Sequence, residues 1–160
     1  MPWAGRDVAM KWGRVLLADS HLNMLGGVHS LLDALFEAVL MVADERSLVD
    51  AVPTFMPDLV IVDLSLPGEG EPNIAKCLMR RHPHLRLIVL SVHDEPTVVG
   101  QMLNAGVAGF VLKRAAATDL IPAVKEVLGG GTYVCPALRG LLPEPGGQSP
   151  AVAEDAPPAE

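Results

Sequence analysis

The sequence predicts an α/β fold, a doubly wound three-layer sandwich of five strand-helix units around a parallel sheet of strand order 2-1-3-4-5. Three observations predict it. From Arg14 onward, short apolar runs alternate with longer segments of helical period, the pattern of parallel strands joined by crossover helices. Half of the 160 residues are apolar while only 4% are aromatic, so Val, Leu, Ile, Ala and Met must build the core, as they do in buried parallel strands. Polar residues recur directly after the strand runs, at the sheet edge where open α/β sheets bind ligands.

The elements follow in order. The first strand is Arg14 to Ala18 (RVLLA). A helix from Leu22 to about Phe36 carries Leu25, Val28, Leu32 and Leu35 at core spacing, with Gly26 and Gly27 lowering its intrinsic stability. The second strand is Ala38 to Val42, although Leu35 to Val42 reads equally as a continuation of that helix. Pro53 shortens the second helix. The third strand, Leu59 to Val62, precedes a third helix from about Pro72 to Arg81, with Ile74, Cys77, Leu78 and Arg81 along one side and Pro83 stopping it. The fourth strand is Leu85 to Leu90. The fourth helix runs Glu95 to Ala105, with Pro96 in its first turn and Gly106 just past its end. After the fifth strand, Gly109 to Leu112, a fifth helix begins near Thr118 as N-cap. It holds Pro122 in its first turn and ends at Gly129-Gly130-Gly131.

These elements divide the chain into an N-terminal arm (1–13), a folded domain (14–130), a C-terminal extension of it (131–142) and a tail (143–160). The tail is rich in Pro and Ala, carries Glu144, Glu154, Asp155 and Glu160 with no basic residue, and is expected to be disordered because it has no core to bury. A formal charge of −7, with no stretch collecting more than a few basic residues, argues against a nucleic-acid-binding face. Cys77 and Cys135 share no C-x-x-C or His/Cys ligand pattern, so both are read as reduced and structural. No apolar run approaches the length of a bilayer span, and residues 1–13 contain no apolar signal core. The protein is expected to be soluble and cytoplasmic.

Asp19 follows the first strand, Asp63 the third, Ser91 the fourth and Lys113 the fifth. In a parallel sheet all four stand on one edge. Each has an ordinary reading by itself: a turn or helix-capping Asp, a loop hydroxyl, a solvated lysine. Their joint placement gives them a shared chemical use. A carboxylate can act as nucleophile on phosphorus. Phosphoryl transfer further needs neutralisation of charge, which a carboxylate-held Mg2+, an ammonium and a hydroxyl donor supply. No G-x-G-x-x-G or P-loop follows any strand, which argues against a nucleotide- or flavin-dependent enzyme.

The segments LLADSH (Leu16 to His21), LVIVDLSLPG (Leu59 to Gly68), LIVLSVHDE (Leu87 to Glu95), AGVAGFVLKRA (Ala105 to Ala115) and LGGGTYVCP (Leu128 to Pro136) resemble the receiver domains of response regulators. More narrowly they resemble the branch joined to LuxR-type helix-turn-helix regulators of the NarL and FixJ group. The resemblance covers about Arg14 to Leu142 and implies a flavodoxin-like (βα)5 fold. It implies that Asp63 is the phospho-acceptor, with Lys113 contacting the phosphoryl group and Ser91 as the switch hydroxyl. Phe110 matches the switch aromatic that turns inward on activation. Asp19, Asp63 and the backbone carbonyl of Ser65 match the Mg2+ ligands. His21 and His93 also fit the branch and are read as surface or loop residues.

By the same resemblance the partners are a histidine kinase or phosphotransfer protein and a downstream protein effector, with no direct nucleic-acid or membrane contact. A homodimer, where one forms, would use the fourth helix, fifth strand and fifth helix, the fifth strand being expected at a sheet edge. The protein would be a signalling domain that catalyses at most its own phosphorylation and dephosphorylation.

Two departures qualify the resemblance. Ser20 stands where receivers of this type usually carry a second acid, which leaves Mg2+ a weak or water-mediated contact there. The chain then passes Leu141-Leu142 into the acidic tail with no recognition helix or basic stripe, and is expected to act without an output domain of its own. The alternatives are a phosphorylation-independent adaptor of the same fold, and the receiver part of a transcriptional regulator whose DNA-binding domain is absent.

Overall fold

The computed structural model describes residues 12–19, 26–64, 66, 74–92 and 95–136. Strands β1 (Trp12–Ala18), β2 (Phe36–Val42), β3 (Leu59–Asp63), β4 (Leu87–Ser91), β5 (Gly109–Leu112) and β6 (Tyr133–Val134) alternate with helices α1 (Gly26–Leu35), α2 (Glu45–Phe55), α3 (Ile74–Arg81), α4 (Pro96–Asn104) and α5 (Ala116–Leu128). The sheet is parallel throughout and ordered β2-β1-β3-β4-β5-β6. This is the expected doubly wound order with one strand added.

The two faces of the sheet bury separate apolar sets. Leu16, Val60, Val62, Val89 and Phe110 pack with Leu48 and Val52 of α2, Ile74 and Leu78 of α3, and Val99 and Met102 of α4. Val15, Leu17, Ile61, Ile88 and Val111 pack with Leu32 of α1 and with Leu120, Ala123, Val124 and Val127 of α5. Every residue of β3, β4 and β5 is buried, because helices cover both faces of the central strands, which is why they read as unbroken apolar runs. Gly109 opens β5 because its neighbours leave no room: a Cβ there would stand 2.9 Å from Cγ1 of Ile88.

Tertiary pairing moves several boundaries. β1 starts at Trp12, whose ring meets Phe36 edge to face at a centroid distance of 5.3 Å, and the Trp12↔Phe36 register pairs them across strands. The Leu35 to Val42 ambiguity resolves as helix to Leu35 and strand from Phe36, since that strand pairs with β1 along its length. α2 runs on through Pro53 to Phe55, so Pro53 does not set its end. The lost backbone bond is offset by burial of Leu48 and Val52 and by the Arg14 guanidinium, which donates to the Phe55 carbonyl at 2.8 Å. α4 matches its expected caps, with Pro96 at the start and Gly106 at φ 101 just beyond the end. Arg81, expected on the buried side of α3, is exposed at its last turn.

The fifth helix departs most from expectation. β5 passes through a 3-10 turn, Lys113–Ala115, directly into α5 at Ala116. Thr118 is therefore not the N-cap, and its hydroxyl donates to the Ala115 carbonyl at 3.1 Å. Pro122 lies inside the helix rather than in its first turn. Burial of Ala116, Leu120, Ala123 and Val124 holds the helix through it. Beyond Gly130, at φ 97, the chain reverses, and Tyr133 N and Cys135 N donate to the carbonyls of Ala108 and Phe110 at 2.9 and 3.0 Å. β5 is thus an interior strand and β6 forms the edge, which corrects the expected edge position of the fifth strand.

One capping interaction makes a pH prediction. Asp44 precedes α2 in extended conformation and accepts from Ser47 N at 2.8 Å. That backbone amide, with the Ser47 hydroxyl next, holds the Asp44 carboxyl below its ordinary value. A depressed folded-state pKa contributes stability that is present above the unfolded value and lost as pH falls through the folded one. Asp44→Ala should lower the melting temperature by a few degrees at pH 7, and the gap from wild type should close in acid. Thermal melts of both proteins from pH 7 to pH 2.5 check it, and a gap that widens in acid would contradict it.

Candidate functional site

The parallel register brings the strand ends to one level. Ala18 lies opposite Val62, so Asp19 and Asp63, each one residue further on, are neighbours at the carboxyl edge. Asp63 pairs with Leu90, and Ser91 with Leu112, which puts Ser91 one step and Lys113 two steps beyond the level of Asp63. Local bonds fix these positions: Asp19 N donates to Val42 O at 3.1 Å, Leu64 N to Leu90 O at 3.0 Å, and Leu66 N to Asp63 O at 3.0 Å. The last of these turns the chain sharply after Asp63.

Asp19, Asp63 and Ser91 are the buried polar or charged residues among those described, at 0, 1 and 1% exposure. The Lys113 ammonium donates to Asp63 Oδ2 at 2.8 Å and stands 3.6 Å from Asp19 Oδ2. Its side chain is itself only 7% exposed. Three charges are therefore held out of water within one contact distance, two negative and one positive. A buried carboxylate is costly unless it is paired, and a single ammonium leaves this pair one negative charge in excess.

That excess and the all-oxygen chemistry of the pair fit a hard divalent cation such as Mg2+, which typically takes one or two carboxylates and completes its shell with water. Asp19 Oδ2 is buried and accepts no hydrogen bond, with Lys113 as its ionic neighbour. Among the described residues no three His, Cys, Asp or Glu side chains cluster as a metal site. Ser20 and Ser65, the remaining expected ligands, and His21 and His93 lie outside the described residues, as do the arm to residue 11 and the tail.

Ser91 continues the row of Leu87 and Val89 on the sheet face packed by α2, α3 and α4, the same face as Phe110. Phe110 is fully buried, level with Val89 on one side and Val134 on the other. One contact escaped the sequence: the Cys135 thiol donates to Asp119 Oδ2 at 2.7 Å, fastening the end of β6 to α5. Sixteen residues separate the two, and only the chain reversal after α5 brings them together. Cys77 and Cys135 are both buried, and neither is in a disulfide.

Residues 15–125 match the family model described as the response regulator receiver domain. The transcriptional regulatory protein DegU of Brevibacillus brevis is 32% identical over 131 residues, covering 81% of this chain and 56% of its own length. The probable transcriptional regulatory protein NarL of Mycobacterium tuberculosis is 31% identical, covering 81% and 61%. This chain thus spans less than two thirds of either relative. The isolated receiver domain of RcsB from Salmonella enterica serovar Typhimurium, solved with the phosphomimetic BeF3−, superposes with a TM-score of 0.74 at 28% identity, covering 81% of this chain and 98% of that one.

Proposed function

The chain belongs to the response-regulator receiver family, and from that premise we propose that it is a phosphorylation-dependent switch whose acceptor is Asp63. The observation that carries the reading is the buried Asp63 carboxylate at the end of β3, with the Lys113 ammonium at 2.8 Å and Asp19 beside it. An Asp63 oxygen attacks phosphorus on a phosphohistidine of a kinase or phosphotransfer protein. The new P–O bond forms as the P–N bond breaks, and the imidazole nitrogen keeps the electron pair. Lys113 already sits at the oxygen on which charge is carried, so it neutralises the phosphoryl group without a large movement.

Asp19, Asp63 and the Ser65 carbonyl would hold Mg2+, with Ser20 contributing weakly or through water; the ion supplies positive charge to the phosphoryl oxygens. Ser91 donates its hydroxyl to a phosphoryl oxygen, and the pull is felt on the sheet face it shares with Phe110 and α4. Signalling then runs through protein contacts at that face. The RcsB receiver, solved in the presence of a phosphomimetic, supports the reading by relation. A homodimer through α4, β5 and α5 would have to include β6, which now borders β5.

A second reading, a phosphorylation-independent adaptor, is favoured by Ser20 in the place of an acid. A third reading, the receiver part of a transcriptional regulator, rests on the names of DegU and NarL, and its DNA contact would belong to a further domain. Incubation with acetyl phosphate and Mg2+, followed by intact mass measurement, separates the first two readings. Wild type should gain one phosphoryl group, Asp63→Asn none, and Ser20→Asp should bind Mg2+ about tenfold to a hundredfold more tightly and label faster. An adduct that persists in Asp63→Asn would displace the acceptor. No adduct in either wild type or Ser20→Asp would overturn the switch and favour the adaptor.

A further inference from the structure

Charge is unevenly spread over the molecule. From Ile74 to Arg86 there are four basic residues, Lys76, Arg80, Arg81 and Arg86, and no acid. This stretch carries +4 in a chain of net −7, so the rest carries −11. All four are exposed, as is His84 beside them. Folding draws them together: His82 N closes α3 onto the Leu78 carbonyl at 2.8 Å, and Leu85 N turns back to the His82 carbonyl at 3.0 Å. Arg80, Arg81 and Arg86 lie at the amino edge of the sheet, at the opposite end from Asp63, with Lys76 one turn back along α3.

β6 starts at the same edge, and the described chain ends three residues beyond its first residue, about 10 Å further along the strand direction. Tyr133 N donates to Ala108 O, and Ala108 N donates to Leu87 O, so β6 is joined to the residue next to Arg86 by two successive cross-strand bonds. Two strand spacings amount to about 10 Å. Beyond Pro136 follow residues 137–160, whose last eighteen carry Glu144, Glu154, Asp155 and Glu160 and no basic side chain. An extended chain covers about 3.3 Å per residue, so even Glu144, eight residues on, reaches the patch without strain.

The geometry points to the acidic tail, residues 143–160, as the occupant of the basic surface formed by the end of α3 and the α3–β4 turn. Complementary charge within one chain and the tether both favour this contact. A short tether gives the tail an effective concentration in the millimolar range, so a contact built from individually weak surface ion pairs is still populated. Docked there, the tail covers the most basic part of the chain while leaving the Asp63 end open.

The test compares amide NMR spectra of the full chain with those of Glu144→Gln/Glu154→Gln/Asp155→Asn/Glu160→Gln. At about 10 mM salt, where the Debye length is about 30 Å, the largest shift differences should fall on residues 80 to 86. They should shrink several-fold at about 0.5 M salt, be independent of protein concentration, and vanish in an Arg81→Gln/Arg86→Gln background. Differences scattered elsewhere, or none at all, would overturn the proposal. Differences that grow with protein concentration would assign the patch to a second copy instead. A duplex DNA that shifts residues 80 to 86 equally in both tail forms would show a patch the tail does not occupy.

Discussion

Lys113→Met should destabilise the protein by about 3–5 kcal/mol at neutral pH in Mg2+-free buffer, the usual cost of removing one partner of a buried ion pair. Methionine keeps much of the apolar stem, so packing changes little. What is lost is the ammonium at 2.8 Å from Asp63 and 3.6 Å from Asp19. Two buried carboxylates are then left side by side without a compensating cation. Asp63→Asn/Lys113→Met should recover part of the stability, giving a coupling of about 1–3 kcal/mol in the double-mutant cycle. Denaturant titrations of the four proteins measure all terms. A single-variant loss under about 1 kcal/mol would mean that solvent reaches the pair and neutralises it.

Phe110→Ala should cost about 3–5 kcal/mol, the range for emptying a buried aromatic site, or on the order of 10–20 °C in melting temperature for a domain of this size. The ring is fully buried on the face packed by α2, α3 and α4, and its backbone carbonyl receives Cys135 N from β6. The site cannot collapse easily, because β4 and β6 hold β5 on both sides. Phe110→Leu, which keeps most of the volume, should cost less than about 1.5 kcal/mol. Calorimetry on the two variants checks the ordering. Equal losses would show that the ring contributes little by its size.

The inward position of Phe110 also bears on the switch. An aromatic that is already buried gives the proposed mechanism no exposed ring to withdraw, so a structural change on phosphorylation would fall on Ser91 and on α4. β6 adds a constraint, since Val134 lies opposite Phe110 and Cys135 is bound to Asp119 of α5. A movement of β5 would therefore be shared by β6 and α5.

The sequence alone determined the five strand-helix alternations and the placement of Asp19, Asp63, Ser91 and Lys113 at strand ends, because both are written in local patterns. Buried parallel strands must be apolar on both faces, and the residue that ends such a run lands at the sheet edge whatever the details of packing. It also determined the ends of α4, where Pro96 and Gly106 act through their own backbone restrictions. Only the tertiary structure decided what depends on distant partners. Two residues, Tyr133–Val134, are too few to show a period, and they form β6 because β5 offers open backbone groups beside them. Pro122 stands inside α5 because burial along that helix outweighs one missing hydrogen bond. That Lys113 leans to Asp63 rather than Asp19 follows from register and from the 3-10 turn after β5. These contacts join residues from 24 positions apart, as Gly109 and Tyr133, to 94 apart, as Asp19 and Lys113, which no local pattern encodes.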